Sequence, residues 1–148
     1  MPDKSTIDRA MEDKKEGKSA STQAGEFVHD EIEKIRKGEH GARSAKQAIA
    51  IGLSEARRAG VKLAPPKKGT VSEKTRMNAE RESEKGQRHE PISGTRSRAV
   101  AKALKREPTS TVSKSALSRQ TKSAAKKRTA ASRSASARKA SRTRKANK

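Results

Sequence analysis

The clearest apolar pattern in the chain predicts two neighbouring helices. Apolar side chains recur at helical spacing between residues 24 and 35, at positions 24, 27, 28, 32 and 35. A second stripe covers residues 45–59, where Ala, Ile, Gly and Leu recur at intervals of three and four. About six residues join the two stripes, a length typical of antiparallel helices. The pattern therefore predicts an αα-hairpin.

The ends of these helices carry residues suited to stopping or starting a helix. Ser21 or Thr22 is the expected N-cap of the first helix and Ser44 that of the second, while Gly38 and Gly60 are suited to their C-terminal ends. Along the second helix, three small residues form a flat strip that lets another helix come close. These residues are Ala48, Gly52 and Ala56.

Weaker helical patterns flank the hairpin, and no segment alternates as a strand does. Short helices are predicted at residues 6–16, 73–85, 96–106 and 113–128. The predicted fold class is mostly α, with a small αα-hairpin head and short flanking helices. No large apolar residue follows Leu117, so we expect the basic tail to be largely disordered, or helix-prone through its Ala, Lys and Arg content.

Composition limits the core to one region. Only 19 of 148 residues are Ile, Leu, Val, Met or Phe, and nine of these lie in residues 22–63. The absence of Cys excludes a disulfide framework, a thiol nucleophile and a Cys-based zinc site. No apolar run approaches the roughly 18 residues of a membrane span, and the first 20 residues lack a signal peptide's apolar stretch. We therefore expect a soluble protein in the cytoplasm.

The net charge of +21 is concentrated at the end of the chain. Residues 97–148 hold 17 basic and one acidic side chain, whereas the first 96 residues have a net charge of only +5. Charge and composition divide the chain into four parts. They are a short N-terminal helix (1–20), the hairpin (21–68), a polar helix and linker (69–95) and a basic Ala/Ser/Lys/Arg-rich tail (96–148).

A tail of this composition predicts binding to the phosphate backbone of DNA or RNA. Lys and Arg that neutralise phosphates release condensed counterions, which favours association with any sequence. The tail has no aromatic residue on which bases could stack. We therefore expect a non-specific, histone-like protein associated with the nucleoid. The expected phosphate contacts are Lys102, Lys105, Arg106, Arg119, Lys122, Lys126, Lys127, Arg128, Arg133, Arg138, Lys139, Arg142, Arg144 and Lys145.

Residues 19–68 resemble a family of small basic bacterial proteins of unknown function. The resemblance is carried by the stretches AGEFVHDEIEKIRKGEHGARS and AIAIGLSEARRAGVKLAPPKKG, with weaker likeness in DRAMEDKKEGK and ALKRE. It implies a bacterial source and brings no known activity. The tail is also similar in composition to the C-terminal tails of linker histones.

Catalysis and metal binding have little support in the sequence. None of the GxSxG, HExxH and GxxxxGK[ST] motifs occurs, so we expect no enzyme activity, no catalytic residue and no cofactor. His29 and Glu33 share a helix face, but nothing nearby completes a metal site, so none is predicted.

The same charge and the same hairpin are compatible with other binding functions. The same charge would serve an RNA- or ribosome-associated protein. The hairpin would equally serve a protein–protein adaptor, or a homodimer formed through residues 22–63. Attachment to an anionic membrane is a weaker alternative, because the basic helix at 96–106 lacks Trp or Phe anchors.

Overall fold

The protein is mostly helical, as the sequence predicts at the level of fold class. The computed structural model describes residues 2–146. Its helices are α1 (Lys4–Lys15), α2 (Ala20–Arg36), α3 (Ala45–Arg58), α4 (Glu73–Gln87), α5 (Gly94–Leu104), α6 (Lys114–Lys126) and α7 (Ala130–Ala146). Residues 2–146 contain no strand, only an isolated bridge between Lys68 and Val71. A 3-10 turn occupies Ser110–Val112.

Serine side chains start the two central helices. The Ser44 hydroxyl accepts a hydrogen bond from the Gln47 amide at 3.1 Å, as predicted for the N-cap of α3. Helix α2 begins earlier than expected, and its N-cap is Ser19, whose hydroxyl accepts from the Thr22 amide at 3.3 Å. Both expected caps, Ser21 and Thr22, lie inside the helix, because it begins at Ala20.

Glycines end both helices, as predicted. Gly38 follows α2 with a φ of 78°, and Gly60 follows α3 with a φ of 91°. These left-handed conformations are strained for residues that carry a Cβ atom. The chain leaves α3 through Val61, whose amide donates to the Ala56 carbonyl at 3.0 Å and whose side chain is buried.

Helices α2 and α3 form the predicted antiparallel hairpin. Ala24 and Phe27, near the start of α2, share a buried cluster with Ala56, near the end of α3. Ile35, near the end of α2, is buried with Ala48, near the start of α3. The order of these contacts reverses between the two helices, so the helices run in opposite directions.

Gly52 lies at the midpoint of the hairpin, where the two backbones meet. A Cβ atom built on Gly52 would lie 2.7 Å from the Cα atom of Val28 and 3.0 Å from the Phe27 carbonyl oxygen. Real Cβ atoms do not come so close to another backbone. The predicted strip of small residues on α3 is therefore the surface on which α2 packs.

Two further segments pack against the hairpin at glycine residues. Gly86 of α4 lies against the backbone of Arg57, at the end of α3, and a Cβ atom there would overlap the Arg57 carbonyl oxygen. Gly41, in the loop between α2 and α3, lies equally close to the carbonyl of Glu107. Both glycines are buried, so the head is assembled at positions where no side chain separates two backbones.

The segment after α5 closes the loop end of the hairpin. The amide of Gly41 donates to the Leu104 carbonyl at 2.9 Å, and the amide of Ala42 donates to the Pro108 carbonyl at 3.0 Å. Val112 is completely buried, in the cluster that contains Ile35 and Ala48. Residues 104–112, which composition places in the basic tail, therefore contribute to the core of the head.

The chain divides into two compact units, residues 1–113 and 114–148. The second unit corrects the expectation of a largely disordered tail, because it consists of α6 and α7. Its abundant Ala, Lys and Arg are strong helix formers. Thr129 caps α7, with its hydroxyl accepting from the Ser132 amide at 3.2 Å. Helix propensity and local capping thus form this unit without a large apolar core.

Substitution of Gly52 by Ala tests the backbone contact. We expect Gly52→Ala to lower the free energy of unfolding by about 1–3 kcal/mol, because the added methyl group has no room. The matched control is Gly25→Ala in α2, where nothing lies within 4 Å of the added Cβ atom. That change should raise stability by up to about 1 kcal/mol through helix propensity. Urea unfolding measures both, and equal effects of the two substitutions would contradict the contact.

Substitution of Val112 by Ala tests whether residues 104–112 belong to the head. We expect Val112→Ala to lower the free energy of unfolding by roughly 2 kcal/mol, because two buried methyl groups are lost. Val100→Ala, at a position that is 51% exposed, should cost less than about 0.5 kcal/mol. If Val112→Ala were as mild as its control, the segment would not be part of the folded head.

Candidate nucleic-acid interface

All fourteen residues predicted to contact phosphate are exposed to solvent. Three of them belong to the first unit, at the end of α5 and just after it: Lys102, Lys105 and Arg106. The other eleven lie in the second unit. Those are Arg119, Lys122 and Lys126 on α6, Lys127 and Arg128 in the connection, and Arg133, Arg138, Lys139, Arg142, Arg144 and Lys145 on α7.

The second unit supplies no carboxylate side chain to neutralise these cations. Residues 114–148 contain 13 Lys and Arg and no Asp or Glu. Successive residues of a helix are 100° apart, so the six cations of α7 are spread over roughly two-thirds of its circumference. The positive charge of this unit therefore faces solvent in several directions.

In the first unit, by contrast, many cations are paired with carboxylates. Arg9 contacts Glu26 at 2.6 Å between α1 and α2, and Arg58 contacts Glu82 at 3.0 Å between α3 and α4. Further pairs are Lys18–Asp13, Lys34–Asp30, Arg36–Glu33, Arg43–Glu107 and Arg76–Glu80. Exposed pairs contribute little stability each, but they cancel charge locally.

One face of α6 gathers three cations at the spacing of successive helical turns. Arg119, Lys122 and Lys126 follow one another at i, i+3 and i+7 and line a shallow recess together with Ser123 and Lys127. Several cationic groups and a hydroxyl that face one recess suit the oxygen atoms of a phosphate. This recess brings together four of the fourteen residues predicted to contact phosphate.

Two of the predicted contact residues also hold the corner between α6 and α7. The guanidinium group of Arg128 donates to the hydroxyl of Ser136 at 2.5 Å and to the carbonyl of Ser132 at 3.0 Å. The guanidinium group of Arg133 donates to the Ala125 carbonyl at 3.2 Å. The sequence pattern did not reveal this second role; the available signal was Thr129, a residue type that often serves as an N-cap.

A buried carboxylate in the first unit also escaped the sequence analysis. Glu31 is 2% exposed, because it lies one helical turn from both Phe27 and Ile35 on the apolar face of α2. Burial raises the pKa of Glu31 to about 7. The charge of His40, whose Nε2 atom is 3.5 Å from Glu31 Oε2, opposes this rise, whereas the negative charge of Glu55 adds to it. The same-face spacing was the signal that could have revealed this residue.

Among residues 2–146, no group of three or more His, Asp or Glu side chains is arranged to hold a metal ion. Glu33, which shares a helix face with His29, accepts a hydrogen bond from Arg36 at 2.9 Å instead. None of the described helices is long and apolar enough to cross a membrane.

Residues 3–68 match a protein family of unknown function, DUF6496. The match covers α1, α2, α3 and the segment that follows them, and it confirms the resemblance to an uncharacterised family. No curated protein and no solved structure matches the chain. The bacterial source and the histone-like character of the tail stay predictions.

The raised pKa of Glu31 makes the stability of the head depend on pH. The folded protein holds the Glu31 proton up to about pH 7, whereas an ordinary glutamate loses it near 4.5. Stability therefore falls as pH rises between these values. We expect Glu31→Gln to stabilise the protein by at least about 1 kcal/mol more at pH 8 than at pH 5.

Urea unfolding of both proteins at the two pH values measures the difference. Glu84→Gln, which changes a carboxylate that is 67% exposed, is the matched control and should show no such dependence. An equal effect of Glu31→Gln at pH 5 and pH 8 would mean that Glu31 titrates as an ordinary glutamate.

Proposed function

We propose that this protein binds nucleic acid through the phosphate backbone, without sequence specificity, using the cations of α6 and α7. The observation that carries the proposal is the charge of residues 114–148, which is +13 in 35 residues without one acidic side chain. Duplex DNA carries one negative charge per roughly 1.7 Å, so a surface of this charge gains free energy by releasing counterions. A histone-like role at the nucleoid follows from such binding.

The helical form of the second unit supports this mode of binding. The major groove is about 12 Å wide and admits an α-helix. Cations that surround most of α7 would reach phosphates on both walls of such a groove. The residues between them are mainly Ala and Ser, whose small side chains allow the helix to approach the nucleic acid closely. Nothing in this arrangement favours one base sequence over another.

The first unit contributes less to this binding, because its charges are largely compensated. Residues 1–113 have a net charge of +8, in more than three times as many residues as the second unit. Its apolar stripe, the proposed seam of a homodimer through residues 22–63, is covered by segments of the same chain. One chain with its two cationic helices is therefore sufficient for the proposed binding. Bridging of two duplexes would require a further contact between two copies of the chain.

A second function has one specific observation in its favour. The family match stops at residue 68, so it covers α1, the hairpin and none of the cationic helices. This limit favours an adaptor, in which the head docks a protein partner and the tail only localises it. RNA or ribosome association uses the same charge as DNA binding, and competition between duplex DNA and structured RNA for the full chain separates these two.

Charge neutralisation in α7 tests the leading proposal. The variant changes Arg138, Lys139, Arg142, Arg144 and Lys145 to Gln, which removes five charges and preserves helix propensity. We expect the slope of log affinity against log salt concentration on duplex DNA to become shallower by about 4. Filter binding or fluorescence anisotropy over a salt series measures this slope.

The matched control removes the same number of charges from the head. It changes Lys4, Lys14, Lys15, Lys37 and Lys46 to Gln, all of which are exposed. The net charge of the two variants is identical, so a tail-specific interface predicts a slope change below about 1 for the control. Equal slope changes in the two variants would overturn the proposal, because net charge alone would then explain the binding.

A further inference from the structure

The connection between α6 and α7 contains no residue that breaks helices. Helix α6 ends at Lys126 and α7 begins at Ala130. The three residues between them are Lys, Arg and Thr, and neither Gly nor Pro is present. Lys and Arg favour a helix, and Thr is tolerated in one. The sequence of residues 127–129 is therefore compatible with a helix that continues from α6 into α7, and the break needs another cause.

Side chains hold the connection in its non-helical form. Thr129 caps the first turn of α7 through its hydroxyl. The guanidinium group of Arg128 donates to the Ser136 hydroxyl at 2.5 Å. The guanidinium group of Arg133 donates to the Ala125 carbonyl at 3.2 Å, at the end of α6. Arg128 and Arg133 are also predicted phosphate contacts, so phosphate oxygens would compete for both guanidinium groups.

A continuous helix would pair backbone groups that the break leaves without helical partners. Each helix end has up to four amides or carbonyls with no partner in the same helix. Joining α6 to α7 pairs the last carbonyls of α6 with the first amides of α7. Repulsion among the cations that such a helix would align opposes the joining. Bound phosphates weaken this repulsion, so a polyanion shifts the balance towards the continuous helix.

Helical geometry would align cations of α6 and α7 that the break now separates. At 100° per residue, five of them would lie within about 60° of one another on a helix that runs from residue 114 to residue 146. This first row spans about 38 Å along the helix axis. Its members are Arg119, Lys122, Lys126, Arg133 and Arg144.

A second row of cations would lie on another face of the same continuous helix. Its four members would also fall within about 60° of one another, centred about 140° from the first row. They are Lys127, Arg138, Arg142 and Lys145. The strip between the two rows would hold only small side chains, those of Ala116, Ser123, Ala130, Ser134, Ala137 and Ser141. Such a surface carries charge along two edges and no bulk between them.

We propose, on the basis of the nucleic-acid binding proposed above, that residues 114–146 form one continuous helix on duplex DNA. The first row then faces one phosphate wall of the major groove, and the second row faces the other. The major groove of B-form DNA is about 12 Å wide and admits an α-helix, whereas that of duplex RNA is deep and narrow. A single strand offers only one row of phosphates. Two cationic rows with small residues between them therefore fit duplex DNA.

The variant Ala130→Pro tests the continuous helix without changing the charge of the chain. Ala130 is the first residue of α7, where Pro is favourable, so the separate helices are preserved. Inside a continuous helix Pro is costly, because it lacks the amide that would bond to the Lys126 carbonyl. We expect duplex DNA to bind Ala130→Pro at least about tenfold more weakly than the unchanged chain. The matched control, Ala130→Ser, should change affinity by less than about threefold.

NMR of the full chain with duplex DNA follows the connection itself. The duplex has about 20 base pairs and is longer than the roughly 50 Å of the continuous helix. We expect the Cα chemical shifts of Lys127, Arg128 and Thr129 to move to helical values when DNA is bound. They should remain non-helical with duplex RNA of the same sequence, and in Ala130→Pro with DNA.

The possible failures separate this proposal from the one on which it rests. Bound DNA with unchanged Cα shifts at residues 127–129, or full DNA affinity in Ala130→Pro, would overturn the continuous helix and leave phosphate binding intact. Equal helical shifts with duplex RNA would overturn the assignment to the B-form groove. Absence of any binding to DNA would overturn both proposals.

Discussion

The close approach of α2 and α3 at Gly52 is the contact on which the head depends. With 19 large apolar side chains in 148 residues, the protein has little bulk with which to fill a core. It gains dispersion energy by bringing backbone and Ala surfaces to short range, because such attraction decays steeply with distance. Because Gly52 has no Cβ atom, α2 and α3 lie close enough to bury one apolar cluster around Phe27 and another around Ile35, toward opposite ends of the hairpin. Gly86 and Gly41 extend the same principle to α4 and to the segment after α5.

The two units differ in how their positive charges are compensated, and the proposed nucleic-acid binding rests on this difference. In the head, cations and carboxylates of neighbouring helices pair, as Arg9 does with Glu26 and Arg58 with Glu82. In residues 114–148 no acidic side chain exists, so partners for the cations have to be external anions. Glu31 is an exception within the head, a buried carboxylate whose Oε1 atom accepts no hydrogen bond from the described residues. The proposed polyanionic partner of the tail would meet one requirement, that concentrated charge be compensated.

Local pattern predicted the hairpin, the cap at Ser44 and the helix-ending glycines, because these depend on neighbours within one or two turns. Local pattern failed where contacts between residues far apart in the sequence determine which side chains are buried. Val112 is a lone apolar residue in a polar segment, and only its docking beside Ile35 explains its burial. Glu31 was overlooked because a charged residue on an apolar face is exceptional, although its spacing from Phe27 is that of the core. The exposure of the eleven predicted phosphate contacts in residues 114–148 needed no tertiary information, since Leu117 is the only large apolar residue there.

We propose that the cationic helices, and not the hairpin, contact nucleic acid. NMR titration of the full chain with a short duplex tests it most directly, because each amide reports its own environment. We expect shifts concentrated in residues 114–146 that diminish as salt is raised from about 50 to about 200 mM, while the amides of α2 and α3 remain unchanged. Shifts concentrated in α2 and α3, with residues 114–146 unaffected, would contradict it.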